Sequence, residues 1–269
     1  MNPVLPTKSV AKPWGKDVLP PPFAAPAGER IGEIWFEPPA ALPQLLVKYI
    51  FTSEALSVQV HPSDGQTEAL GLGRQGKEEC WLVIDAEPGA RLGIGFDHAL
   101  GPEAMRAAAL DGRIEQALTW HAVAPGDFFY IPANTVHAIG AGVSLIEVQQ
   151  NSDITWRLYD YGRPRELHLD EGVAVARGEP YAAKWHRHVP ERGEEVLVDG
   201  PLFRLDRIDG PPSDLLRSAY AAGPLLVIPR SGGIAVDGVE LAVGECACAQ
   251  GIDAVAVAGG ALALLARPV

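Results

Sequence analysis

Cysteine is scarce in this chain, with only Cys80, Cys246 and Cys248 among 269 residues. An odd count without framework spacing excludes a disulfide scaffold and points to buried, reduced thiols in a cytosolic protein. Cys246 and Cys248, two residues apart, would share one face of a strand. Positive charge is also short: 22 Lys plus Arg stand against 34 Asp plus Glu, a formal charge of −12. Nucleic acid and anionic membrane both reward clustered basic residues, so neither is expected as a partner. Long apolar runs are missing. The longest nearly apolar stretch, Ala254 to Ala266, is 13 residues and carries Gly259 and Gly260, too short and too broken to span a bilayer. The first residues, MNPVLPTKSVAKPWGK, contain no apolar h-region, so no secretory signal is expected and the location reads as cytoplasmic. No short fixed repeat is visible, which excludes solenoids and propellers.

Turn formers are abundant. The 29 Gly and 24 Pro make up about a fifth of the chain, where average usage is roughly 12%. With 47% hydrophobic residues a real core can still form. Short β-branched or aromatic runs recur between these punctuators: Leu45 to Thr52, Leu56 to Val60, Cys80 to Asp85, Arg91 to Phe96, Asp127 to Ile131, Val143 to Gln149 and Trp156 to Tyr159. The pattern resumes with Phe203 to Ile208, Leu225 to Ile228, Ile234 to Val236, Val239 to Ala242, Glu245 to Ala249 and Ala261 to Ala266. Asp237-Gly238 reads as a two-residue hairpin turn, because both positions need positive φ. Helical patterning is expected only over Ser63 to Leu72 and Pro102 to Leu118, the latter broken at Asp111-Gly112. Many short strands with few helices predict an all-β protein of barrels or sandwiches. Pro and Gly with mixed charge between Tyr161 and Glu195 suggest a boundary. The expected division is a chemistry-bearing barrel over 1–165, a crossover over 166–194 and a second barrel over 195–269.

Four segments could carry chemistry. In SVQVHPSD, Gln59 and His61 share a strand face and Pro62 ends the strand at their mouth. In GKEECWLVI, Lys77, Glu78 and Glu79 enter a run of buried character, where a carboxylate is costly unless paired or bound to metal. Glu79 shares parity with Trp81 and Glu78 with Cys80; parity alone does not say which set faces inward. In GDFFYIPANTVHAIGAG, the spacing from Gly126 through Pro132 and Asn134 to His137 fits a strand, a tight turn and a returning strand. Asn134 is the residue suited to a left-handed backbone there. Gln59, His61, Glu79 and His137 together make a plausible mononuclear site for a divalent metal, with room for substrate. The fourth segment, VQQNSDITWRLYDYGR, is unusually polar for a strand and its turn, and Arg157 would need an anionic partner in a cleft.

These residues resemble a known family. The Gly126-to-His137 spacing resembles the second cupin motif, with Asn134 where Gly is usual. The set KPWGK (12–16), IGEIWF (31–36), LSVQVHP (56–62), GKEECW (76–81), IPANTVHAIGAG (131–142) and QQNSDITWRLYDYGR (149–163) resembles type I mannose-6-phosphate isomerases of the shorter bacterial form. The resemblance implies a double cupin fold, with a second barrel whose Gly244 to Gly251 segment looks like a decayed turn and holds no metal. It implies one zinc ion per chain on Gln59, His61, Glu79 and His137. Ser57 matches a residue associated with the substrate's phosphate, and Lys77, Asp153 and Arg157 match residues linked to catalysis and substrate binding. Glu78 stands where the family usually has Thr or Pro. The helical insertion of longer members is absent.

The reaction so implied interconverts mannose 6-phosphate and fructose 6-phosphate through a cis-enediol, in a monomer or homodimer acting on a small sugar phosphate. Lys77 and Asp153 are the candidates for the base. Two alternatives remain open on the residues. Two His and one carboxylate also describe the iron(II) site of cupin oxygenases, and a catalytically silent sugar-binding cupin would keep the same fold.

Overall fold

The computed structural model describes residues 2–269. In chain order the first twelve strands are β1 (Thr7–Lys16), β2 (Ile31–Phe36), β3 (Leu45–Phe51), β4 (Val58–Val60), β5 (Glu79–Ala86), β6 (Arg91–Phe96), β7 (Leu118–Ala122), β8 (Asp127–Ile131), β9 (His137–Ile139), β10 (Val143–Gln150), β11 (Trp156–Tyr159) and β12 (His186–His188). They form a seven-stranded sheet, β1-β2-β3-β10-β5-β8-β12, and a five-stranded sheet, β11-β4-β9-β6-β7. A second pair of sheets follows, β13 (Glu195–Asp199) and β14 (Phe203–Ile208) to β20 (Ala263–Pro268), in which five strands face three. All named strand pairs are antiparallel, so the expected all-β, double-barrel architecture holds.

The central strands of the seven-stranded sheet, β3, β10 and most of β5, are buried on both faces. Trp81, Val83, Leu145 and Ile50 point into the first barrel, while Cys80, Leu82, Ile146 and Val148 pack with Phe203, Leu205, Leu226 and Leu264 of the second. Period-two geometry thus places alternate residues of β5 and β10 in two different cores. The three cysteines are free and buried.

Local signals explain several elements. Asn134 has φ 73°, and Asp237 and Gly238 have φ 50° and 76°, as the turn readings require. Ser63 opens α1 (Asp64–Ala69) through a capping box with Gln66. The expected Pro102 to Leu118 helix is two helices, α2 (Pro102–Asp111) and α3 (Ile114–Ala117), because Gly112 turns left-handed at φ 81°. Leu118 itself begins β7. Helices are not confined to the two expected places: α4 (Leu169–Val175) and α5 (Asp214–Ala219) also form. α4 buries Gly172 and Val175 against β11, and α5 is capped by Ser213, which accepts from Leu216 N. No helix among the described residues is long and apolar enough to cross a membrane.

Candidate metal centre

The two sheets of the first barrel bring the four expected ligands together. Gln59 sits on β4 and is the register partner of His137 on β9, while Arg157 on β11 is the partner of Gln59 on its other side. On the opposite sheet Glu79 pairs with Gln149, and Glu147 lies between Lys48 and Trp81. Glu79 therefore shares the inward face with Trp81. Glu78 turns the other way and accepts from the Tyr130 hydroxyl. This settles which carboxylate faces the site, a question parity alone left open.

The loops that aim the histidines are tied to each other. His61 follows β4, and its carbonyl accepts from Asn134 N at 2.8 Å. The Asn134 amide also donates to Gln66 Oε1 at 2.7 Å, linking the α1 loop to the β8–β9 turn. Asp64 Oδ1 accepts from Gly76 N (2.7 Å) and Gln150 Nε2 (2.9 Å), which holds the residues before β5. A Cβ at Gly76 would lie 2.3 Å from the Pro62 carbonyl, so only glycine permits this approach.

The donor atoms of His61, Glu79 and His137 all lie within 4.8 Å of one another. Nδ1 of His61 lies 2.8 Å from Ile154 O, and Nδ1 of His137 lies 2.9 Å from Thr135 O. A carbonyl can only accept, so each Nδ1 carries the proton and each Nε2 presents a lone pair. The His61 lone pair accepts from Lys77 Nζ at 3.1 Å with Glu79 Oε2 at 3.6 Å, and His137 Nε2 lies 3.4 Å from Oε1. Three acceptors facing one another in a buried space suit a cation between them. Both Glu79 oxygens are buried and lack a properly directed hydrogen bond, although the Lys77 ammonium lies 2.5 Å from Oε2 as an ion pair. Gln59 Nε2 lies 3.3 Å from His137 Nε2, and its Oε1 accepts from Ser57 Oγ at 3.1 Å. The donor set of two imidazoles, one carboxylate and one amide fits a divalent metal.

Burial dominates the electrostatics. It pushes His137 down to about 4 and His61 well below its ordinary value, with Lys77 adding to both, so the rings stay neutral. Burial raises Glu79 to about 7, against the opposing pull of Lys77. Burial also opposes charge on Lys77, but Glu147 and then Glu79 outweigh it and hold the ammonium above its usual pKa. Lys48 Nζ lies 3.0 Å from Glu147 Oε1 and 2.5 Å from Gln149 Oε1, while Trp81 Nε1 donates to Glu147 Oε2 at 3.0 Å. Despite the burial that opposes it, these cations keep Glu147 low, at about 2.

A polar cavity of about 370 Å³ opens beside this cluster. Ser57, Gln59, Lys77, Asp153 and Arg157 all line it, so every expected site residue lies either in the cluster or on the cavity wall. Gln59 and Lys77 join the two. Arg157 Nε donates to Glu166 O at 3.0 Å, and burial followed by the neighbouring Arg165 lowers its pKa. Glu33, Trp35, Lys48, Glu147, Arg165 and His168 share the wall and were not singled out in the sequence. A signal existed for two of them: Lys48 and Glu147 are lone charges inside otherwise apolar strand runs, LLVKYIF and VSLIEVQQ.

No family model matches the chain. Mannose-6-phosphate isomerase ManA of Bacillus subtilis is 43% identical over 160 residues, which is 57% of this chain and 50% of that protein. Mannose-6-phosphate isomerase of Streptococcus mutans is 40% identical over 170 residues, 59% of this chain and 52% of that one. In sequence, the chain thus spans about half the length of the curated relatives it matches. Among solved structures, the mannose 6-phosphate isomerase from Bacillus subtilis superposes with a TM-score of 0.76 at 23% identity, over 99% of this chain and 100% of that chain. A zinc-bound mannose 6-phosphate isomerase superposes with a TM-score of 0.72 at 16% identity, over 99% of each. The resemblance read from the motifs therefore extends to sequence over more than half the chain, and to fold over nearly all of it.

Proposed function

We propose that the chain is a metal-dependent, cytoplasmic aldose–ketose isomerase that interconverts mannose 6-phosphate and fructose 6-phosphate, with zinc as the resident ion. The observation that carries this reading is a buried two-histidine, one-carboxylate cluster opening onto a polar cavity with Arg157 on its wall. Relatives and structural neighbours that bear the isomerase name support it. Gln59, His61, Glu79 and His137 would hold the ion, which when bound supplies Lewis-acid polarisation of the sugar oxygens.

The protein's own residues account for the rest. The reaction removes a proton from carbon 2 of the open-chain aldose and returns one to carbon 1. Lys77, held charged between Glu79 and Glu147, serves as a fixed cation beside the developing enediolate rather than as the base. Asp153, exposed on the cavity wall, is the carboxylate that can take the proton and give it back. Arg157 stabilises negative charge on the intermediate or anchors the substrate. Ser57 is the phosphate contact. As placed, the Gln59 oxygen accepts from Ser57 Oγ; if the amide turned its oxygen to a bound ion, its NH2 group would face Ser57 Oγ and free the hydroxyl hydrogen for a phosphate oxygen.

A coupled assay for fructose 6-phosphate formed from mannose 6-phosphate tests the reading, run before and after chelation and zinc return. Activity lost on chelation and restored by zinc is the expected result. Activity indifferent to chelation would refute the metal role, and dioxygen consumption with iron would favour the oxygenase chemistry of the same donor set.

A further inference from the structure

A second cavity, of about 460 Å³, lies between the two barrels and shares no lining residue with the first. One wall is apolar, formed by Leu82, Val83 and Ile84 of β5 and by Leu262. The other is basic. Arg192 comes from the crossover, Arg207 from the end of β14 and Arg230 from the residue after β15 (Leu225–Pro229).

Arg207 is 6% exposed, and its two terminal nitrogens donate to the carbonyls of Gly193 and Glu191. Carbonyls fix the guanidinium plane but do not neutralise it. Among the described residues, none of the three arginines has a carboxylate within ion-pair distance. Glu191 and Asp209 also line the cavity, with Asp209 Oδ2 accepting from Gly193 N at 2.7 Å, so three guanidinium groups stand against two carboxylates. A buried guanidinium held by neutral partners, with two more converging from other segments, is an expense that a bound anion would offset. The contrast with the chain's charge of −12 sharpens the point, because basic groups are few and three are gathered here.

We infer that this inter-barrel cleft is a second ligand site, built for the phosphoryl group of a small molecule with an apolar-tolerant body. Phosphate suits it better than a single carboxylate. A tetrahedral dianion offers oxygens in three directions, and the three guanidinium groups come from three chain segments. Free phosphate and a phosphorylated metabolite present the same group, and the volume accommodates either.

Calorimetric titration of the full-length protein with inorganic phosphate and, separately, with glucose 6-phosphate tests the site. The expected result is binding that weakens at least about tenfold in the Arg192→Gln/Arg230→Gln variant and survives in Arg157→Ala. Both substituted arginines are at least partly exposed, so this variant keeps the fold where Arg207→Gln risks losing it. Tighter binding of glucose 6-phosphate identifies a phosphorylated metabolite as the occupant, and equal binding identifies free phosphate. Binding abolished by Arg157→Ala but untouched by the double variant would place all phosphate in the first cavity and overturn the inference. No binding at millimolar concentrations would overturn it as well.

Discussion

Lys48 and Glu147 face each other as register partners across β3 and β10, with Nζ 3.0 Å from Oε1 and both side chains buried. The pair stands at the centre of a row that runs Trp35, Lys48, Glu147, Trp81 and Phe129 across five strands of the large sheet. Removing one member leaves a buried charge uncompensated. Glu147→Ala should destabilise the fold by about 3–5 kcal/mol. The double variant Lys48→Met/Glu147→Leu should recover a good part of that loss. Denaturant melts of the two singles and the double measure the coupling; strictly additive losses would show that the pair is not a unit.

Metal affinity should depend on pH chiefly through Glu79. The carboxyl, raised to about 7, must shed a proton to ligate, whereas His137 stays neutral down to about 4 and His61 lower still. Apparent zinc affinity should therefore fall about tenfold per pH unit between roughly pH 6.5 and 4.5, the slope of one competing proton. A slope of two or more in that window would mean the histidines compete as well.

The metal-free protein should lose net stability on acidification. Glu79, raised in the folded state, favours folding at low pH and loses that contribution as pH rises through about 7. His61 and His137 are depressed; they favour folding above their unfolded values and lose that contribution as pH falls toward about 4. Two histidines outweigh one carboxyl, so the melting temperature should drop between about pH 6.5 and 4. Zinc at about 100 times its Kd should raise stability by about 2.7 kcal/mol at neutral pH. An unchanged melting curve with zinc would count against the cluster as a metal site.

Gly76→Ala should damage the site from outside it. The added Cβ meets the Pro62 and Ser63 backbone, and the hydrogen bond from Gly76 N to Asp64 Oδ1 holds the same point. A cost of about 1–3 kcal/mol is expected for such overpacking. Because Lys77 and His61 flank the contact, metal affinity should fall together with stability in paired titration and melting experiments. Loss of stability alone would show that the ligands adjust independently.

Arg157→Ala should depress turnover by about 10²–10³-fold while zinc content, measured by elemental analysis, stays at the wild-type level. Normal turnover would remove Arg157 from its proposed role.

Much of the site was legible because its parts rest on local geometry. Gln59 and His61 share a face by strand parity, and Asn134 occupies the left-handed turn that its side chain tolerates. Strand parity alone left the choice between Glu78 and Glu79 to the family resemblance, and the reason is physical. β5 is buried on both sides, so no alternation of polar and apolar residues marks which face is inside. Lys48 and Glu147 each stand out as a lone charge in an apolar strand run, but their pairing joins strands far apart in sequence, where periodicity carries no information. The short helices α4 and α5 depend on packing against neighbouring strands and on a cap, and their brief apolar spacing resembles that of strand runs.

The two-faced burial of the large sheet has a mechanical meaning. Along β5, Glu79 belongs to the cluster with His61 and His137 while its neighbour Cys80 is wedged into the packing shared with the tail of the chain. The C-terminal barrel, poor in reactive side chains, is therefore the anvil against which the reactive sheet is packed. Slack in that support would be felt at the ligands one peptide bond away.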